Sequence, residues 1–281
     1  MSTANYVKTA VLLAALTGLM VLLGNWLGGR TGMVFALGLA AVMNFGSYWF
    51  SDKIVLAIYR ARPASSSDAP RLHAIVDRLV ARAGMPKPAL YVLPQPAPNA
   101  FATGRNPSHA AVAVTAGLME LMNDEEIEGV VAHELAHIKN RDILIGSIAA
   151  TIAGAITMLA TMARWGALLG GFGGRDDRDG GILGLLVMTL VAPIAALVIQ
   201  MAVSRSREYA ADATGAGIAG NPYGLARALE KLGTYSKRIP MQSSAATSHM
   251  FIVKPLSGGG IMGLFSTHPP IEERIRRLLG R

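Results

Sequence analysis

Four apolar runs limit what this chain can fold into. Thr9 to Leu27, Met33 to Phe50, Ile143 to Ala163 and Ile182 to Val203 carry almost no charge, and each is near the roughly 20 residues that cross a hydrocarbon core about 30 Å thick. Only Gly28, Gly29, Arg30, Thr31 and Gly32 join the first two, which reads as a tight helical hairpin. Tyr48 and Trp49 close the second run at an interface-like position, and Pro193 should kink the fourth. Of the 281 residues, 52% are hydrophobic and 16% charged, well under the usual quarter for soluble domains. The first run is longer than a signal-peptide core and no small-x-small cleavage site ends it, so it reads as an uncleaved anchor. Strong polar groups within the runs are Asn25, Asn44 and Gln200, which argues against an ion path.

Lys53, Arg60 and Arg62 follow the second run, whereas the hairpin link holds only Arg30. This bias predicts a cytoplasmic N-terminus and a cytoplasmic segment after the second run. The net charge of +8 fits basic residues beside membrane spans. They are scattered without an aromatic platform, which excludes nucleic-acid binding. Cysteine is absent, so neither disulfides nor thiol chemistry enter the reading.

The expected organisation is an N-terminal transmembrane hairpin (1–62), a first soluble part (63–142), a second hairpin (143–203) and a second soluble part (204–281). Within the first soluble part, Pro63 to Pro70 reads as a linker. Arg71 to Ala83 reads as an amphipathic helix stopped by Gly84. Ala89 to Leu93, Ala100 to Thr103 and Ala111 to Thr115 read as strands, the last two joined by Gly-Arg-Asn-Pro-Ser-His. His73 reads as a solvated or packing histidine. Further on, Asn221 and Pro222 should open a helix that Gly233 ends, with Leu225, Leu229 and Leu232 buried. Thr234 to Ser266 is poor in helix signals, and a final helix should bury Ile271, Ile275, Leu278 and Leu279.

Chemistry enters at His133, Glu134, Leu135, Ala136 and His137. Asn123, with Glu126 three residues on, predicts a capped helix start, and Asp124, Glu125, Glu126 and Glu128 suit its positive end. On that helix the two histidines share one face and can reach one metal ion. Glu134 can contact a water there without binding the metal. A third ligand is needed. Glu208 and Asp212, again four apart, follow the fourth run. Glu208 could complete a His, His, Glu set, and Asp212 could fix a histidine tautomer through its far nitrogen. Imidazole ligands favour zinc over magnesium or calcium. Runs three and four begin and end beside these motifs, so two antiparallel helices would bring the halves of the site together; the alternative is a buried soluble hairpin.

These segments, with Asn99-Ala-Phe-Ala-Thr-Gly104 and Thr267-His-Pro-Pro270, resemble the HtpX family of membrane-bound zinc metalloproteases, relatives of the CAAX prenyl proteases and of the mitochondrial protease Oma. The resemblance covers nearly the whole chain. The fold expected is mainly α with a small β-sheet, an α+β zincin-like metalloprotease domain, plus about four transmembrane helices. The resemblance implies quality control of membrane proteins at the bacterial inner membrane, with polypeptide substrates cut on the cytoplasmic side. One Zn2+ per chain is expected on His133, His137 and Glu208, with Glu134 as general base. His268 and Arg205 are candidates for stabilising the oxyanion, and Asn99 and His109 are weaker site candidates beside the sheet. In zincin proteases such a sheet offers an exposed edge to which a peptide adds as a strand. Competing readings are a processing protease for lipid-linked peptides, a non-catalytic metal-binding receptor or transporter, and a catalytically dead adaptor.

Overall fold

The computed structural model describes residues 2–148, 205–235, 252 and 269–280. The apolar N-terminus is helical as α1, Ser2–Ile58, and the chain reverses inside it. Thr17 and Asn44 would lie about 40 Å apart along a straight helix, yet Asn44 Nδ2 donates to Thr17 Oγ1 at 2.9 Å. The reversal falls at Gly29, whose φ of +58° is the left-handed conformation that glycine adopts without steric cost. The two arms come so close that a Cβ on Gly24 would sit 2.5 Å from the Ala36 Cβ, the use to which small residues are put in apolar helix pairs. The second arm, Gly29–Ile58, is the one segment among the described residues long and apolar enough to cross a membrane. Residues 143–148 begin the third run as helix; the rest of runs three and four lies outside the described residues.

A four-stranded sheet follows: β1 (Arg62–Pro63), β2 (Ala89–Leu93), β3 (Ala100–Asn106) and β4 (His109–Thr115). Its order is β1-β2-β4-β3, with β2 and β4 parallel and the other pairs antiparallel. Alternation along the strands sends side chains to opposite faces. Leu93, Phe101, Ala111 and Ala113 pack on Val55, Leu56 and Tyr59 at the end of α1. Leu90, Ala100, Ala102, Val112 and Val114 join the main core under the helices. The sheet is therefore clamped between the apolar hairpin and the helical layer. Two strand expectations need correction. Arg62 and Pro63 pair with Val92 and Tyr91, so the linker begins with a strand. The β3–β4 link is shorter than its six turn-forming residues suggest, because a register irregularity between Gly104 and Asn106 carries the strand through Gly104.

The helical layer comprises α2 (Pro70–Ala83), α3 (Ala116–Leu121), α4 (Asp124–Lys139), α5 (Arg205–Ala219), α6 (Tyr223–Tyr235) and α7 (Ile271–Leu278). Its centre is α4, which packs against α2, α5, α6 and β3. The helix starts with a complete capping box between Asn123 and Glu126, and Ile127, Val130, Val131, Leu135 and Ile138 are buried. Gly129 lets α6 approach, since a Cβ there would collide with the Leu225 backbone. Asn221 Oδ1 accepts from the Tyr223 amide at 3.0 Å and opens α6. That helix runs past Gly233 to Tyr235, contrary to the expected stop. Gly233 instead makes room for α7, where a Cβ would lie 3.1 Å from Ile271 Cδ1.

The reversal in α1 is directly testable because the chain has no cysteine. In a Thr17→Cys/Asn44→Cys variant, mild oxidation is expected to form an intramolecular disulfide, read as a mobility shift reversed by reductant. A single straight helix would give none.

Candidate metal centre

The two histidines project from α4 one turn apart, and α5 crosses α4 above them. The crossing is close because of Gly215. A Cβ at that position would meet the His133 Cα and N at 2.9 Å, so only glycine lets α5 lie directly on the backbone of His133. Glu208 and Asp212, two turns and one turn before Gly215, then face the imidazoles. Ligand atoms of His133, His137 and Glu208 all lie within 4.8 Å of one another. His137 Nε2 is 3.6 Å and His133 Nε2 3.8 Å from the Glu208 carboxylate.

Each imidazole is oriented by its own carboxylate. His133 Nδ1 lies 2.9 Å from Asp212 Oδ1, and His137 Nδ1 lies 3.1 Å from Asp142 Oδ2. Since a carboxylate accepts, each Nδ1 carries the proton and each Nε2 presents a lone pair. Those two Nε2 atoms face each other at 3.1 Å. Two lone pairs at that distance repel unless a cation or a proton lies between them, and without a metal His137 supplies the proton. Two nitrogens bound to tetrahedral zinc at about 2.0–2.1 Å would be about 3.3 Å apart. The donor set therefore fits a metal of that kind.

The charge balance points the same way. Glu134, Asp142, Glu208 and Asp212 are all buried, against Arg274, also buried, and Arg207, which is partly so. With both histidines neutral and all four carboxylates ionised, as metal binding requires, four negative charges against two positive leave a deficit of two, which a divalent cation would cancel. Without a metal, protons on His137 and in part on Glu134 offset it. Without a metal the histidines respond to this field. Burial holds the His133 pKa below the ordinary 6.5, despite the upward pull of Asp212. Burial would also lower that of His137, but Asp142, Glu208 and Glu134 raise it to about 10. The Glu134 carboxyl is pushed up to about 7 by burial, against the opposing charge of His137 and a hydrogen bond from the Ala102 backbone.

That backbone bond brings in the sheet. β3 is the edge strand beside α4, but its outward-facing groups are engaged. The Ile252 amide donates to the Ala100 carbonyl at 3.3 Å, Ala102 bonds Glu134, and the Gly104 amide donates to Ser147 Oγ at 3.2 Å. The edge expected to be open is thus covered at these three positions.

Two contributors were not anticipated. Asp142 follows Arg141, whose φ of +57° turns the chain back under His137. Arg274 of α7 is 1% exposed and grips Asp212 with both ends of its guanidinium, at 2.8 and 2.6 Å. It also donates to the Ile252 carbonyl at 3.0 Å. Burial would raise the Asp212 pKa, but its bonds to Arg274 and His133 pull it below the ordinary carboxylate value. A signal for Arg274 did exist: it lies three residues after Ile271 and four before Leu278, a charge inside an apolar stripe that needs a buried partner. Of the other candidates, Arg205 is exposed in the first turn of α5, Asn99 is buried just before β3 and His109 is exposed at the start of β4. His268 lies outside the described residues.

Comparison with known proteins follows the same lines. Residues 66–281 match the model of peptidase family M48. The chain belongs to that family. It is 63% identical over 275 residues to a protease HtpX homolog of Desulforapulum autotrophicum, covering 98% of this chain and 89% of that one. It is 54% identical over 265 residues to the homolog of Aquifex aeolicus, covering 93% and 88%. Among solved structures, the crystal structure of S. mikatae Ste24p matches with a TM-score of 0.51 at 20% identity, over 98% of this chain and 66% of that one, which shows a shared fold. Family and relatives together support a membrane metalloprotease.

Two outcomes follow for this centre. Arg274→Ala strands Asp212 in the core and should cost about 3–5 kcal/mol, with a 10- to 100-fold loss of metal affinity, checked by thermal melting and chelator competition. In chelated protein, the proton on His137 is held more tightly when folded than when unfolded. Its contribution to stability is complete below about pH 6.5 and is lost as pH rises through about 10. The melting temperature of chelated protein should therefore fall from pH 7 to 10, and the metal-loaded protein should not follow that trend.

Proposed function

We propose that this chain is a zinc-dependent endopeptidase that cleaves misfolded or damaged membrane proteins on the cytoplasmic side of the bacterial inner membrane. His133, His137 and Glu208 would hold the ion, one per chain. When bound, zinc supplies Lewis-acid polarisation of the scissile carbonyl and lowers the pKa of water. The observation that carries the reading is the position of Glu134, adjacent in sequence to His133 and buried beside the cluster, with its carboxylate bonded to the edge strand at Ala102.

Glu134 is the base in this reading. It takes a proton from the attacking water and passes it to the leaving amine nitrogen. Its raised pKa keeps it basic enough for the first transfer and acidic enough for the second. Asp212 and Asp142 hold the two imidazoles in the tautomer that a metal needs. Arg274 keeps Asp212 ionised and fixed. A peptide pairing with β3 at Ala100 would have to take the place of the Ile252 amide. The location is supported by the apolar arm Gly29–Ile58 and by Lys53 in its last turns with Arg60 and Arg62 after it, which favour the cytoplasmic side.

The test is cleavage of an unfolded model substrate by purified full-length protein, wild type against Glu134→Gln. The expected loss is about 10²–10⁴-fold in kcat, with bound zinc unchanged. Equal cleavage by both proteins would remove Glu134 as the base, and zinc binding with no cleavage by either would favour a receptor or adaptor. The acid limb of the wild-type pH profile should lie below about pH 7, because the two charges of the metal would replace the single charge of the His137 imidazolium that already lowers the Glu134 value of about 7.

A further inference from the structure

A cleft of about 530 Å³ opens between the last turns of α1 and the β3–β4 turn, and the proteolytic reading makes no use of it. One wall is aromatic. Phe45, Trp49 and Phe50 are 61%, 40% and 46% exposed, and Phe45 and Tyr48 both pack against Trp49, with ring centroids 5.9 and 5.5 Å apart. The other wall is basic. The Arg105 guanidinium stacks 4.5 Å from the centre of the Trp49 ring, and Lys53 Nζ lies 5.6 Å from that of Phe50. Asp52 is the acid of the lining, and His109 completes it with its ring held 3.0 Å from Asn106 Oδ1.

We propose that this cleft binds the phosphate of an anionic phospholipid headgroup. Lys53 and Arg105 take the phosphate, while Phe45, Trp49 and Phe50 lie against the glycerol and the upper acyl chain. Three observations favour a lipid over soluble phosphate. The wall belongs to the arm apolar enough to cross a bilayer. Its aromatics close the uncharged run Met33 to Phe50 within that arm, the level at which tryptophan and tyrosine meet headgroups. Free phosphate would gain nothing from three exposed rings. Arg105 comes from the sheet and Lys53 from the helix, so the cations converge only because the sheet is clamped on α1. A guanidinium stacked on a ring keeps its in-plane donors for an anion, and two cations against Asp52 suit an anionic leaflet. A lipid there would fix the height of the sheet, and with it the Ala102–Glu134 contact, above the bilayer.

The experiment is native mass spectrometry of the full-length protein in detergent, titrated separately with phosphatidylglycerol, phosphatidylcholine and inorganic phosphate. Wild type is expected to retain phosphatidylglycerol in preference to phosphatidylcholine and to keep it in millimolar phosphate. Lys53→Gln/Arg105→Gln should weaken phosphatidylglycerol binding about thirtyfold, and Lys53→Arg/Arg105→Lys should retain it. Should the double variant fail to fold, exposed Lys53→Gln alone is expected to lose about fivefold. Equal binding of the two lipids, or a preference unchanged by the double variant, would overturn the proposal. Displacement by millimolar phosphate would assign the cleft to a soluble anion instead. Impaired cleavage of an unfolded chain with lipid binding intact would make it a polypeptide contact, which also overturns the proposal.

Discussion

Two imidazole nitrogens facing each other at 3.1 Å are unfavourable unless something positive is shared between them, and the surrounding fold is arranged to keep them there. Asp212 and Asp142 hold the Nδ1 protons, so both Nε2 atoms are turned toward the site. Without a metal the proton of His137 lies between them, and a guanidinium nitrogen of Arg274 lies 3.4 Å from His133 Nε2. Each carboxylate needs its own support. Arg274 supplies it for Asp212, and the left-handed turn at Arg141 places Asp142. Buried ionic groups of this kind contribute little net stability. They set geometry, and their excess negative charge can be met by a divalent cation or, without one, by protons on His137 and Glu134.

The packing that delivers this arrangement is dominated by close backbone approach. Gly215 seats α5 on His133, and Gly129 seats α6 on the other side of α4. With α4 fixed between these helices and β3, Glu134 has one environment: out of water, against an edge-strand amide, beside the Glu208 carboxylate. The raised pKa of Glu134 follows from that burial. The same sheet is held on its far face by Val55 and Leu56 of α1 and by Tyr59 just after it, so the centre is mechanically continuous with the apolar hairpin.

Much of this was legible in the sequence because it is local. The Asn123–Glu126 cap, the i, i+4 spacing of His133 and His137, and the repeat of that spacing at Glu208 and Asp212 are all written within single helices. The glycine-rich link at residues 28–32 likewise announces where α1 turns. The features that escaped depend on distant partners or on backbone conformation. Arg274 finds Asp212 across 62 residues, and its signal, a charge in an apolar stripe, says that a partner exists without saying which. Asp142 reaches His137 only through the unusual φ at Arg141. Gly233 looked like a helix stop because glycine often is one, but there it serves the contact with Ile271. The covering of β3 by Ile252 and Ser147 combines residues from three separate parts of the chain and has no local signature.

The central claim is that opposed histidine lone pairs and Glu208 form a divalent metal site. The most direct test is X-ray absorption spectroscopy at the zinc edge on purified full-length protein, with metal content measured alongside. The account predicts one zinc per chain, with two imidazole nitrogens at about 2.0–2.1 Å and the remaining low-number shell made of oxygen, and loss of one oxygen ligand in Glu208→Ala. A shell of oxygen alone, or a wild-type spectrum unchanged by Glu208→Ala, would contradict it.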